Sequence, residues 1–120
     1  MMNKKKLGSE GENAVAEFLE DKGFVILEKN FLTKYGEIDI IAEFKGTVHF
    51  VEVKTRTSFK YGTPAMAVNA AKQSKIIKTA ECYIIGKKLF DAPCSFDVAE
   101  VFTDKGKNFR INFIESAFET

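Results

Sequence analysis

The sequence predicts an α/β fold, a central mixed sheet of about five strands flanked by two main helices. Three observations predict it. Two segments, near 9–22 and 64–86, repeat apolar residues at helical spacing. Three apolar stretches lie between them, joined by short polar links, and two more close the chain around a polar turn. The order helix, three strands, helix, two strands suits a sheet with helices packed on it.

Ser9 can cap a helix that runs to Lys22 and stops at Gly23, because a small hydroxyl satisfies free N–H groups and glycine takes the left-handed exit. FVILEKNF (24–31), GEIDIIAEF (36–44) and TVHFVEVKT (47–55) then read as strands, and the two-residue link Lys45-Gly46 suggests a hairpin. The polar segment from Arg56 to Met66, with Gly62 and Pro64, reads as a loop. Ile76, Ile77, Ala80, Tyr83 and Ile84 recur at helical spacing, so a second helix begins near Pro64 or Asn69 and ends at Gly86. CSFDVAEVF (94–102) and NFRINFIES (108–116) form closing strands around the turn Asp104-Lys105-Gly106-Lys107.

A chain of 120 residues can bury a core without disulfides or metal staples, so one globular unit over 1–120 is expected, with residues 1–6 a mobile basic tail. Twelve Phe and no Trp make that core rich in flat apolar rings. Cys82 and Cys94 have neither metal-site spacing nor the density of a secreted scaffold, which fits free thiols in a reducing cytoplasmic setting. MMNKKK resembles a signal-peptide start in charge, but LGSEGENAVAEFLED follows it without an apolar run, and nothing later is long enough to span a membrane. With a formal charge of +1, any contact with nucleic acid must come from a local patch.

Polar residues then stand where apolar ones are expected. Glu12 shares the helical stripe of Val15, Ala16 and Leu19, and Gln73 shares that of Ile76, Ile77 and Ala80. In GEIDII, alternation puts Ile38 and Ile40 on one face and Glu37, Asp39 and Ile41 on the other. In FVEVKTR (50–56), Glu52 and Lys54 join Val48 and Phe50, while His49 takes the opposite face with Val51 and Val53 and reads as structural. Taken singly, each has a bland explanation: a helix-dipole acid, an amide bonded to backbone, or an exposed ion pair. If strands 36–44 and 47–55 pair, however, Glu12, Asp39 and Glu52 converge with Lys54. Crowded carboxylates cannot all ionise cheaply without a cation, and an oxygen-only set suits Mg²⁺ or Mn²⁺.

With these residues the chain resembles the bacterial YraN-type family, which is similar to Holliday junction resolvases among the restriction-endonuclease-like nucleases. The resemblance covers nearly the whole chain and rests on GSEGENAVAEFLEDKGFVIL (8–27), GEIDIIA (36–42), FVEVKTR (50–56), AVNAAKQSKI (67–76) and FDVAEV (96–101). That superfamily's pattern is an acid, a gap, and acid-x-Lys; Asp39 matches the first acid and Glu52-Val53-Lys54 the rest, with Glu12 and Gln73 matching a helix acid and a helix amide. The resemblance implies a restriction-endonuclease-like fold and Mg²⁺- or Mn²⁺-dependent hydrolysis of phosphodiester bonds in structured DNA such as branched junctions. It implies that Asp39, Glu52, the Val53 carbonyl and Glu12 hold the metal, that Lys54 acts on the attacking water or the phosphoryl charge, and that Gln73 positions Lys54 or the water. Arg56, Lys60, Lys72, Lys75 and Lys78 would form a phosphate-binding rim, against the alternative of a solvated lysine face. The resemblance also implies a homodimer, although the sequence offers no clear exposed apolar stripe. Competing readings are a nucleic-acid-binding protein that keeps the nuclease fold without turnover, and an interaction or scaffold protein.

Overall fold

The computed structural model describes residues 4–56, 69–104 and 108–119. Along them run α1 (Lys4–Asp21), β1 (Val25–Thr33), β2 (Gly36–Phe44), β3 (Thr47–Arg56), α2 (Ala70–Lys87), β4 (Cys94–Asp104) and β5 (Asn108–Phe118). The sheet has the order β1-β2-β3-β4-β5, with β3 and β4 parallel and every other pair antiparallel. A parallel pair needs a long crossover, which here includes α2. The result is an α/β mixed sheet of five strands with two helices, a layout consistent with the restriction-endonuclease-like fold.

The helices take opposite faces. Val15, Ala16 and Leu19 of α1 pack with Ile40, Ala42, Val51, Ala99 and Val101, while Ile76, Ala80 and Tyr83 of α2 pack with Ile38, Ile41, Val48, Phe50, Phe96 and Val98. Burial on both faces explains why the central strands read as almost continuous apolar runs. Among the described residues, no helix is long and apolar enough to cross a membrane.

Most local stop signals act as their chemistry dictates. Gly23, at φ 98°, ends α1: its N–H donates to Glu20 O and that of Phe24 to Leu19 O, both at 3.0 Å. Lys45 and Gly46, at φ 50° and 84°, make the tight β2–β3 turn. Asn69, one of the two starts considered for α2, caps it by accepting the Lys72 N–H at 2.9 Å.

Two helix boundaries differ from expectation. α1 begins at Lys4, so it takes in Lys4–Lys6 of the expected tail, and Ser9 sits exposed inside it rather than at its start. Lysines are good helix formers, and a solvent-facing serine costs a helix little. α2 runs past Gly86 to Lys87, and Lys88 takes the left-handed exit at φ 57°. There Leu89 donates its N–H to Ile84 O at 2.9 Å, and both side chains pack against the core under α2, a closure that ending at Gly86 would forfeit. The segment after Arg56, with Lys60, and the turn at 105–107 lie outside the described residues.

Candidate functional site

The site lies where the sheet splits. β2 and β3 pair from Phe44↔Thr47 to Ile40↔Val51 and no further, although β3 stays paired with β4 as far as Arg56. Where the next backbone bond would fall, the Asp39 carboxylate intervenes: Oδ2 accepts the Val53 N–H at 2.8 Å. Strict alternation also fails here. Ile38 packs on the α2 side and Ile40 on the α1 side, instead of sharing a face as the sequence pattern predicts. A side chain that takes over a ladder bond frees the strand from the pleat that would have held those isoleucines together.

α1 reaches this split because of Gly11. Any Cβ at that position would collide with the Thr55 hydroxyl of β3, so glycine lets the helix backbone close on the strand. The next residue, Glu12, is thereby delivered to Asp39, close enough for its charge to act on the Asp39 carboxyl. Glu37 completes the group: one carboxylate oxygen each from Glu12, Glu37 and Asp39 lie within 4.8 Å of one another. Asn30 of β1 ties it together from the far side. With its amide nitrogen turned toward the acids, Asn30 donates to Glu12 Oε2 at 3.0 Å, to Glu12 Oε1 at 3.3 Å and to Glu37 Oε1 at 2.9 Å.

These acids resist ionisation together. Burial, and after it the Glu52 charge, push the Asp39 carboxyl up to about 8, against the opposing effect of the Val53 N–H. Burial also raises Glu12, while the Asn30 bond pulls it back. Both shifts have the sign expected for carboxyls that lose water and face like charge.

Glu52 is buried beside this group but turns its carboxylate to lysines, with Oε1 2.6 Å from Lys72 Nζ and 3.5 Å from Lys54 Nζ. Its charge reaches Asp39, yet the compact acidic trio contains Glu37 in its place. The two lysines diverge. Burial and then the neighbouring Lys72 lower the Lys54 pKa. At Lys72 burial is the largest single influence and acts in the same direction, but the bonds to Glu52 and Lys54 and the charges of Glu52 and Asp39 together outweigh it, and the pKa rises. Lys72 therefore holds its proton against Glu52, and Lys54 is the ammonium that releases one more readily.

The other candidates divide. Gln73 is half-buried in the first turn of α2, next to Lys72, with its N–H donated to Asn69 O at 2.9 Å. Val53 meets Asp39 through its N–H. Arg56, expected on the phosphate rim, is partly exposed and pairs through Nε, at 3.0 Å, with Oε2 of Glu100, which is buried at 1% exposure. Lys75 and Lys78 are exposed on α2. His49 lies on the α1 side, its Nδ1 2.6 Å from Asp97 Oδ2.

Two site residues escaped the sequence reading. Glu37 carried a signal, since it stands two residues before Asp39 on a polar face. Asn30 adopts φ 54°, a left-handed conformation that asparagine tolerates better than most residues, and an asparagine inside an apolar strand is the clue.

Residues 11–101 match the family model described as "Uncharacterised protein family UPF0102". The chain belongs to this family. A UPF0102 protein of Caldanaerobacter subterraneus subsp. tengcongensis is 46% identical over 119 residues, covering 98% of each chain. One from Clostridium botulinum strain 657 is 45% identical over 117 residues, covering 96% of this chain and 95% of the relative. The UPF0102 match bears out the YraN-type resemblance, and its span contains Gly11, Glu12, Asn30, Glu37, Asp39, Glu52, Lys54 and Lys72.

Proposed function

We propose that this protein is a cytoplasmic, divalent-cation-dependent endonuclease that hydrolyses phosphodiester bonds in structured DNA such as branched junctions. The observation that carries the reading is the convergence of Glu12, Glu37 and Asp39 at the strand split, with Lys54 and Lys72 held on Glu52, whose charge reaches Asp39. The donor set fits Mg²⁺ or Mn²⁺: it offers carboxylate oxygens, and two of the acids have raised pKa values that a bound cation would reverse. Glu12, Glu37 and Asp39 would hold the ion, with Glu52 next in reach once it releases a lysine. Such an ion supplies a lowered pKa for a nearby water and a counter-charge for phosphoryl oxygens.

The chain's own residues do the rest. Asp39 is fixed by the Val53 N–H and Glu12 by Asn30, so the acids are held in place before substrate arrives. Lys54, with its lowered pKa, orients the attacking water or takes a proton from it, while Lys72 stays charged and faces the phosphate. Gln73 positions this pair from the start of α2, and Lys75 and Lys78 extend positive charge along the helix. A homodimer would place two such sites on the two strands of a junction.

A second reading, binding without turnover, draws on the 2.6 Å Lys72–Glu52 pair, which neutralises an acid that the resemblance to restriction-endonuclease-like nucleases would give to the metal. Labelled junction, flap, duplex and single-stranded substrates, with Mg²⁺, Mn²⁺ or chelator, separate the two. Metal-dependent cleavage that disappears in Asp39→Asn supports the nuclease. Binding with no cleavage under any metal supports the second reading.

A further inference from the structure

The β1–β2 turn carries a feature that the acidic site does not use. Tyr35 is 40% exposed, with Lys34 Nζ 5.2 Å and Lys78 Nζ 5.8 Å from its ring centroid. One lysine comes from the turn and the other from α2, so two elements deliver positive charge to one aromatic face.

The turn is clamped to α2. Thr33 Oγ1 accepts the Tyr35 N–H at 3.1 Å and lies 3.2 Å from the hydroxyl of Thr79, which is fully buried and itself donates to Lys75 O at 2.8 Å. Gly36, at φ 154°, runs so close to the helix that a Cβ there would sit 3.7 Å from both Lys75 Cβ and Thr79 Oγ1. The ring is therefore presented on a braced turn. From Tyr35 the chain leads straight into Glu37 and Asp39, four residues of extended strand or roughly 13 Å.

We propose that Tyr35 is a stacking platform for an unpaired nucleobase, with Lys34 and Lys78 taking neighbouring phosphates, so that the substrate has a single-stranded stretch a few nucleotides from the bond to be cut. The proposal rests on the nucleic-acid part of the function above. An ammonium over an exposed ring is weakly held. It moves to a phosphate at little cost, and that movement uncovers the ring for a base. A duplex offers no unstacked base to the ring, whereas aromatic stacking with any base of a single strand is favourable and indifferent to sequence.

The test is binding in chelator, read by anisotropy, of a short labelled single strand and of the matching duplex, together with the fluorescence of a single strand carrying 2-aminopurine. Wild type should quench 2-aminopurine. Tyr35→Ala should weaken single-strand binding by about fivefold to a hundredfold and abolish the quenching, Tyr35→Phe should preserve both, and duplex affinity should change by less than about twofold. Lys34→Gln with Lys78→Gln should reduce the salt slope on single strands by about 1.4. The platform is overturned if Tyr35→Ala binds as wild type does, if Tyr35→Phe loses as much as Tyr35→Ala, if duplex binding falls in parallel, or if wild type binds no single strand. Cleavage, assayed separately with Mn²⁺, keeps the two ideas apart. Cleavage without any Tyr35 effect removes the platform alone, and Tyr35-dependent binding without cleavage removes the catalysis alone.

Discussion

Two aspartates sit in this sheet in parallel circumstances and meet opposite company. Asp39 accepts the Val53 N–H at 2.8 Å where β2 leaves β3, and Asp97 accepts the Ser116 N–H at 3.0 Å where the β4–β5 register slips. Each irregularity has a left-handed residue close by, Asn30 at φ 54° and Ser116 at φ 51°. Asp97 is then satisfied by donors, the Ser95 hydroxyl at 2.5 Å and the His49 ring at 2.6 Å, and is fully buried. Asp39 faces Glu12, Glu37 and Glu52. The same backbone device thus makes a structural anchor in one place and an electrostatically strained site in the other. The deciding factor is whether the remaining neighbours donate protons or carry like charge.

The largest expected effect lies at the anchor. Asp97→Ala leaves His49, Ser95 and the Ser116 N–H without their acceptor and should cost about 3–5 kcal/mol in urea denaturation, the range for breaking a buried pair. A cost below about 1 kcal/mol would erase the contrast between the two aspartates. Next comes chemistry at the split. Lys54→Ala should slow cleavage by roughly a hundredfold while Mn²⁺ binding, followed by calorimetry, survives. Equal cleavage by wild type and variant would assign the activity to something other than this site.

The third effect is on stability and its pH dependence. Asp39 titrates near 8 in the folded protein against an ordinary 3.8, so the folded state keeps a proton that the unfolded state loses between those values. Its stabilising contribution is full below about pH 4, declines as pH rises, and is gone above about pH 8. In chelator, Asp39→Asn should remove that decline and exceed wild type by about 1–3 kcal/mol at pH 8.5, with little difference at pH 4. Denaturant midpoints at the two pH values check it, and a variant less stable than wild type at pH 8.5 would make Asp39 a second anchor. The smallest effect is the metal's own: at tenfold excess over its dissociation constant, Mn²⁺ should add about 1.4 kcal/mol and raise the unfolding temperature of wild type but not of Asp39→Asn.

Much of this could be read from the residues in order. The spacing of Val15, Ala16 and Leu19 marks the buried stripe of α1, Lys45-Gly46 marks the hairpin, and Asn69 is one of the two starts, with Pro64, that the residues offer for α2. Each works within a few residues, through side-chain periodicity or through φ angles that few residues accept. Even the odd placement of Glu12 and Asp39 was visible, because a carboxylate on an apolar stripe breaks a local rule.

Contacts across elements needed the fold. Nothing local in FVEVKTR tells that Glu52 pairs with Lys72, in a helix that starts fourteen residues further on from the end of that stretch, or that Arg56 serves buried Glu100. Nor does GEIDII announce that Asp39 will take a backbone bond from Val53 and reverse the faces of Ile38 and Ile40. By itself the sequence determined where helices, turns and out-of-place acids lie, since those follow from interactions between near neighbours. Only the tertiary structure decided which acid meets a lysine and which meets another acid, because charges separated by tens of residues act on one another through space, and their distance is set by how α1, α2 and the split sheet pack.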